Sequence, residues 1–359
     1  MEKTIIDQIN EKTDIVDLVS EYVELSKKGK NFMCLCPFHN EKTPSFSVSP
    51  EKNIAKCMSC GEGGNPINFY RKIKNISRQQ VIFELAERLG IEVKKTFEPK
   101  KTSHDHFLQL MQKASQFFEF NLKNSEQSEK ALAYLYQREL TDELIKHFKI
   151  GYAPSYGRHL YQFLKDQNIQ TTHMIDLGLV KQDQKGNYYD LFSERVMFPV
   201  TDPLGHVVGF SGRTLKKDDQ VKYVNSPETA IFKKGLLLYH FFEALPEVRK
   251  AKHIVLFEGF FDVISAYQAG IKNSCATMGT ALTQDQAKLI KSQTDSVIIC
   301  YDGDLAGQKA TIQAIEVLES EKLKVHVLLI PEMMDPDEFI KAYGPETFES
   351  LFGDDLLDP

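Results

Sequence analysis

The chain has 359 residues, 42% of them hydrophobic, which exceeds one typical domain and suffices for two or three with sizeable cores. Its formal charge of -6 excludes a uniformly basic coat, and no apolar run approaches the length of a membrane span. Six cysteines, with Cys275 and Cys300 inside apolar runs, suit a reducing compartment, so a cytoplasmic protein with no membrane partner is expected.

Residues 5–25 place apolar side chains at Ile5, Ile6, Ile9, Ile15, Val16, Val19 and Val23. This is a helical period interrupted near Lys12-Thr13-Asp14, where Thr13 or Asp14 would cap a second helix. Short strands are expected at Phe46-Ser47-Val48 and Asn53-Ile54-Ala55, followed by punctuation at Gly61, Gly63 and Gly64. Helices over about 65–73 and 78–89 close a first domain, 1–93. Residues 94–106, rich in Lys, Thr, Pro and Ser, read as a linker.

Helical periodicity dominates 107–122 and 129–148. Strands then follow at 195–200 and 207–210 around a turn at Pro203-Leu204-Gly205, within a second domain, 107–251. From 252 to 345 the chain alternates strands at 253–257, 274–278, 297–301 and 325–330 with helices at 262–268, 283–291 and 306–318. Continuous apolar strands separated by helices predict a parallel sheet covered on both faces. The fold class is therefore α/β and multi-domain, with a short segment, 346–359, after the last unit.

Cys36-Pro37-Phe38-His39 and Cys57-Met58-Ser59-Cys60 are two ligand pairs of equal spacing separated by a hairpin-length insert. A two-residue gap lets a tight turn aim both side chains at one ion, and a strand pair brings the second turn beside the first. One structural zinc ion in a ribbon, held by Cys36, His39, Cys57 and Cys60, is the expected result. Cys34 would point to the same strand face as Cys36; Cys36 is preferred because it makes the CxxH turn, with Cys34 as a packed or substitute thiol.

Charge is unevenly divided. Residues 27–78 hold ten Lys or Arg against three Glu, whereas 252–343 hold eight basic residues against thirteen acidic. A basic face beside an acidic patch is the pattern of an enzyme that processes nucleic acid, although charge runs also serve merely as solvated faces. In the ribbon, Lys30, Lys42, Lys52 and Lys56 interleave with Phe32, Phe38 and Phe46. An exposed ring there could stack on an unpaired base, in competition with packing into the core.

In the alternating unit, carboxylates fall where strands end: Glu258 before Gly259, Asp302 and Asp304 around Gly303, and Asp335 and Asp337 after the last strand. Ligands of open α/β sheets bind outside the carboxyl ends of strands, so these side chains should converge. Gathered carboxylates repel one another unless cations are present, and Mg2+, or Mn2+ in its place, takes oxygen ligands while keeping waters that phosphates can replace. Gly259 and Gly303 would leave room for a phosphate chain to approach the backbone. Arg213, Lys222, Lys233 and Lys234 cluster in a turn-rich region, where arginine grips phosphate bidentately and lysine acts as a point charge.

Glu258-Gly259 with Asp302-Gly303-Asp304 in this alternation resembles the Toprim domain of primases, topoisomerases and some nucleases. Together with the ribbon beginning Cys36-Pro37-Phe38-His39-Asn40-Glu41-Lys42-Thr43-Pro44-Ser45-Phe46, the chain to about residue 345 resembles the bacterial replicative DNA primases. Arg213 in Gly209-Phe210-Ser211-Gly212-Arg213, the run from Lys222 to Thr229, Phe232-Lys233-Lys234-Gly235, and Met278-Gly279-Thr280-Ala281-Leu282-Thr283 extend the likeness. The resemblance implies Arg138, Arg213, Lys222 and Lys234 as contacts to template or nucleotide phosphate. It implies Glu258, Asp302, Asp304, Asp335 and Asp337 as the metal cluster, with Glu258, Asp302 and Asp304 catalytic.

The expected activity is synthesis of short RNA primers from NTPs on single-stranded DNA, with an RNA–DNA hybrid as product and Glu258 either holding the metal or relaying a proton. The rivals are a Toprim topoisomerase or nuclease and a non-catalytic template-binding module. The first needs a tyrosine in a separate DNA gate, and the second leaves five acids at strand ends unexplained. Such primases usually continue into a helicase-binding domain, so a chain ending at Pro359 is expected to form no stable complex with the replicative helicase.

Overall fold

The computed structural model describes residues 5–39, 41, 43–74, 78–91, 104–216, 219 and 221–354. Lys42, residues 94–103 of the expected linker and residues 355–359 of the last segment lie outside the described residues. The chain forms two compact units, Met1–Ser103 and His104–Pro359.

The first unit opens with α1 (Ile5–Lys12) and α2 (Ile15–Ser20). The break between them is set by Asp14, whose carboxylate accepts the Val16 and Asp17 backbone N–H groups at 2.7 and 3.2 Å and so caps α2. Strands β1 (Ser26–Lys28), β2 (Asn31–Cys34), β3 (Phe46–Ser49), β4 (Ile54–Cys57) and β5 (Gly63–Gly64) pair antiparallel in chain order. Helices α3 (Pro66–Lys74) and α4 (Arg78–Arg88) follow.

Register sets Cys34 opposite Phe46, Phe46 opposite Cys57, and Val48 opposite Ala55. One face of the sheet therefore carries Cys34, Phe46, Val48, Ala55 and Cys57, all buried in one cluster with Ile9, Ile15, Ile67 and Phe69. A slip of one residue would turn this set to solvent, so the hydrophobic pattern fixes the pairing that aligns the two metal-binding turns.

The second unit begins with α5 (Asp105–Asn124), α6 (Glu129–Gln137) and α7 (Asp142–His147). The helical stretch at 129–148 divides because Glu139 adopts a φ of 63° and the Thr141 hydroxyl caps α7 by accepting the Leu144 N–H at 3.3 Å. This break leaves Arg138 as the C-cap of α6. Next come β6 (Gly151–Ala153), α8 (His159–Asp166), α9 (Thr171–Asp176) and the hairpin of β7 (Val180–Gln182) and β8 (Tyr188–Asp190). Strands β9 (Arg195–Thr201), β10 (Val207–Thr214) and β11 (Tyr223–Asn225) complete an antiparallel sheet in the order β11-β10-β9-β6.

After α10 (Phe241–Ala251) the expected alternation appears: β12 (Ile254–Phe257), α11 (Phe260–Gln268), β13 (Ser274–Ala276), α12 (Gln284–Lys291), β14 (Ser296–Ile299), α13 (Leu305–Ser320) and β15 (Lys324–Val327). Helices α14 (Pro336–Tyr343) and α15 (Pro345–Asp354) follow. The sheet is wholly parallel, in the order β13-β12-β14-β15. Val255, Phe257, Ile298 and Cys300 belong to the core on one face, and Ile254, Leu256, Val297 and Ile299 to the core on the other. Burial on both sides explains why these strands read as unbroken apolar runs. Among the described residues, no helix is long and apolar enough to cross a membrane.

Candidate functional site

In the first unit, the metal-ligand motif converges. The Sγ atoms of Cys36, Cys57 and Cys60 and a ring nitrogen of His39 all lie within 4.8 Å of one another. Cys36 Sγ is 3.8 Å from Cys60 Sγ, and Cys57 Sγ is 3.8 Å from His39 Nδ1. Thiolates about 2.3 Å from a tetrahedral zinc lie about 3.8 Å apart, so the donor set and its spacing fit that ion. The backbone N–H of Phe38 points at Cys36 Sγ at 3.4 Å, and those of Ser59 and Cys60 point at Cys57 Sγ at 3.3 Å. Burial pushes the Cys36 thiol up to about 12. Burial opposes ionisation of Cys57 as well, but the Ser45 hydroxyl and these N–H groups outweigh it and bring that thiol to about 7.

Cys34 stands apart from this group: its Sγ faces the Phe46 carbonyl at 3.9 Å within the core. Glu41, to which the spacing of the ligands assigns no role, organises the turn. Its carboxylate lies 3.2 Å from His39 Nε2 and accepts the backbone N–H groups of Cys36 and Ser45 at 2.8 and 2.9 Å and the Ser45 hydroxyl at 2.5 Å. Of the rings considered for base stacking, Phe46 is fully buried, and Phe38 packs edge-on against Phe46 and Phe69. Lys30, Lys52 and Lys56 are exposed.

In the second unit, a cavity of about 390 Å³ opens at the carboxyl ends of β12 and β14. Glu258, Asp302 and Asp335 line it together with Asp262, Lys234 and Tyr223. Glu258 directly follows β12, and its Oε1 is buried without a hydrogen-bond partner. Burial raises its pKa, the Asp302 backbone N–H partly offsets this, and the Asp304 charge adds to it. Asp302 is pushed up to about 7 by burial first and then by the charges of Glu258, Asp335, Asp304 and Glu338. Asp335 is also raised, chiefly by burial. Carboxyls crowded in this way, one with an oxygen that no protein group satisfies, are a fitting oxygen donor set for a hard divalent cation.

Two of the five expected metal-site acids lie outside the lining. Asp304 is exposed and caps α13, accepting the Gly307 N–H at 2.8 Å, from where its charge still acts on Glu258 and Asp302. Asp337 is buried and ion-paired with Arg138 at 2.7 Å and Lys341 at 2.5 Å. Asp262 joins the cavity instead: at the third position of α11 its Oδ2 accepts the Gly259 N–H at 2.9 Å. In sequence it reads as an ordinary helix-capping acid, with only its distance of four residues from Glu258 as a signal.

The glycines differ from expectation. A Cβ on Gly303 would meet the Ile330 carbonyl oxygen at 2.6 Å and the Met334 carbonyl oxygen at 3.0 Å. The chain's own backbone occupies that space, and the Gly303 N–H donates to Met334 O at 2.8 Å. Gly259 makes room for Asp262, whose Oδ2 would lie 2.8 Å from a Cβ there.

The basic residues separate likewise. Lys234 lines the cavity, with its pKa lowered by burial. Arg213 is half-buried, donates to the Tyr223 hydroxyl at 2.8 Å and lies 5.1 Å above that ring. Arg138 lies 4.4 Å above Phe261. Lys222 is exposed outside the lining, its carbonyl accepting the Thr214 N–H at 2.9 Å, and Lys233 is exposed 3.7 Å from Glu228.

Three family models match successive parts of the chain: the CHC2 zinc finger at residues 1–101, the N-terminal domain of the DNA primase catalytic core at 117–245, and a Toprim-like model at 255–340. A DNA primase of Enterococcus faecalis is 42% identical over 363 residues, which cover 97% of this chain and 58% of that protein. The chain thus spans less than two thirds of that relative's length. The zinc-binding and RNA polymerase domains of the Aquifex aeolicus primase, a solved structure, are 38% identical at a TM-score of 0.66, covering 98% of this chain and 85% of that one. A primase catalytic domain solved with bound single-stranded DNA is 35% identical at a TM-score of 0.63, covering 69% of this chain and 78% of that one.

Proposed function

Because the chain belongs to the DNA primase family, we propose that it joins NTPs into short RNA primers on a single-stranded DNA template, releasing pyrophosphate and leaving an RNA–DNA hybrid. The observation that carries this reading is the cavity at the ends of β12 and β14, where Glu258, Asp302 and Asp335 stand beside Lys234. Phosphoryl transfer asks for positioning and charge stabilisation more than for covalent chemistry, and this arrangement offers both.

Glu258, Asp302 and Asp335 would hold Mg2+ or Mn2+, with Asp304 acting on them by charge from the cap of α13. Bound divalent cations supply neutralisation of the triphosphate and a lowered pKa for the attacking 3′ hydroxyl. Lys234 places a cation at the cavity wall for a phosphate oxygen. Arg213, held by the Tyr223 hydroxyl and ring, presents a fixed guanidinium for the template or nucleotide backbone. Lys222, exposed on the neighbouring segment, would extend this cationic track. Glu258, with an unpartnered buried oxygen, is suited to take up either a metal ion or a proton.

In the ribbon, Cys36, His39, Cys57 and Cys60 would hold one structural zinc ion, and the exposed lysines of that unit would hold the template by its phosphates. The test is incorporation of labelled NTPs on single-stranded DNA with added Mg2+. Asp302→Ala should abolish primer synthesis while leaving binding to single-stranded DNA largely intact. Half of the wild-type activity retained in saturating Mg2+ would remove Asp302 from the chemistry.

A further inference from the structure

We propose that Asp337 is a positioning residue rather than a metal ligand: it fixes the Arg138 guanidinium, through a buried ion pair, in a cationic stack that recognises phosphate. Both oxygens of Asp337 are engaged. Ser265 Oγ donates to Oδ1 at 2.5 Å, while Arg138 Nη1 and Lys341 Nζ donate to Oδ2 at 2.7 and 2.5 Å. The carboxylate side chain is 5% exposed and its charge is already met by two cations. A divalent ion recruiting Asp337 would have to break these contacts and leave two half-buried cations without their carboxylate.

The other end of the ion pair explains what the contact does. The Arg138 guanidinium lies 4.4 Å from the centre of Phe261 and 5.5 Å from that of Tyr134, and Arg213 lies 5.4 and 5.5 Å from the same two rings. Two guanidinium groups therefore share one pair of aromatic rings, and among the described residues Asp337 is the carboxylate that pairs with either of them. Arginine has five N–H donors in a rigid fork, so an ion pair through one nitrogen fixes the plane and leaves other donors for an anion. Arg138 retains 28% of its side-chain exposure. Because Asp337 lies in the first turn of α14 and Arg138 caps α6, the pair also ties the helical part of this unit to the parallel-sheet part.

This inference rests on the primase reading, which supplies the phosphate ligand, and its test separates the two. Mn2+ is titrated into the full chain, read by the electron paramagnetic resonance of the free ion. Binding of a labelled oligothymidylate is followed by anisotropy against salt concentration. Asp337→Asn is expected to bind Mn2+ within threefold of wild type, whereas Asp302→Asn loses tenfold or more. The salt slope of DNA binding should fall by about one ion in Asp337→Asn and in Arg138→Gln, with no further fall in the double variant. A tenfold loss of Mn2+ affinity in Asp337→Asn, or an unchanged salt slope, overturns the proposal. Should Asp337→Asn not fold, Arg138→Gln decides alone: a Mn2+ affinity changed less than threefold supports the assignment, and a tenfold tightening would mean that Asp337 had been released onto the ion. A wild-type chain that binds neither Mn2+ nor DNA would defeat the primase reading itself.

Discussion

The Glu41 carboxylate lies 3.2 Å from His39 Nε2, on the ring nitrogen opposite the one that faces Cys57. This contact sets the tautomer that leaves Nδ1 free for a metal and holds the ring in the orientation that faces it. Glu41→Gln should therefore weaken zinc binding about 10–100-fold while leaving one ion bound at saturation. Competition with a chromophoric chelator measures this, and an unaltered affinity would count against the arrangement.

Zinc content distinguishes the four cysteines of the ribbon. Cys57→Ser should lose the ion and loosen residues 30–65 while the second unit stays folded, since bound structural zinc contributes folding free energy directly. Cys34→Ser should retain one zinc per chain. Half or less by metal analysis would transfer the ligand role from Cys36 to Cys34.

Arg213→Ala and Lys222→Ala should each weaken DNA binding and lower the salt slope by about one ion, since on the proposed reading each supplies one phosphate contact. The two residues differ in setting, Arg213 stacked on Tyr223 and Lys222 exposed. The arginine should cost more, because its geometry is fixed before the strand arrives. A slope unmoved in both variants would take them off the path of the nucleic acid.

The raised Asp302 carries a stability signature. Its folded pKa of about 7 exceeds the unfolded value near 3.8, so the folded state binds more protons between these limits and loses stability as pH rises through them. Asp302→Asn in magnesium-free buffer should raise the Tm of the second unit by about 2–4 °C at pH 8 and by much less at pH 4. Calorimetry at both values is decisive, because equal shifts would mean that the gain is not electrostatic.

Gly303→Ala should destabilise the second unit by about 1–3 kcal/mol, because the atoms that a Cβ would meet are backbone and cannot rotate away. The displaced segment carries Asp335, so activity should fall more than tenfold even at temperatures where the variant is folded. Wild-type Tm together with wild-type activity would contradict the close crossing at this glycine.

The legible parts of the chain were those in which chemistry and spacing coincide. Paired ligand spacing disclosed the Cys36–His39 and Cys57–Cys60 turns, and apolar runs disclosed β12 and β14 because burial on both faces leaves little alternation to interpret. The pairing of Asp337 with Arg138 was not legible, since two residues so distant in sequence meet only after α6 and α14 are docked. Asp262 was hidden for another reason: a helix-capping acid and a cavity acid look alike until burial is known. Strands such as β6 and β8, three residues each, are too short for periodicity to register. Gly303 lies beside the acids in sequence, which suggests room for a ligand, yet its space is taken by the chain itself.

The strand order has a consequence for how the acids come together during synthesis. Glu258 follows β12 and Asp302 follows β14, which pair directly, while Asp335 arrives only beyond β15 at the sheet edge. A nascent chain can therefore bury the apolar centre of the sheet before the third carboxylate leaves the ribosome. The repulsion of Asp302 by Glu258 and Asp304 is met as β12 and β14 pair, and Asp335 adds to it in the step that also buries Val325 and Val327 of β15. On the proposed reading, a divalent ion held by Glu258, Asp302 and Asp335 would favour the pairing of β12 with β14 as well as the closing of this edge, since it ties all three strand ends together.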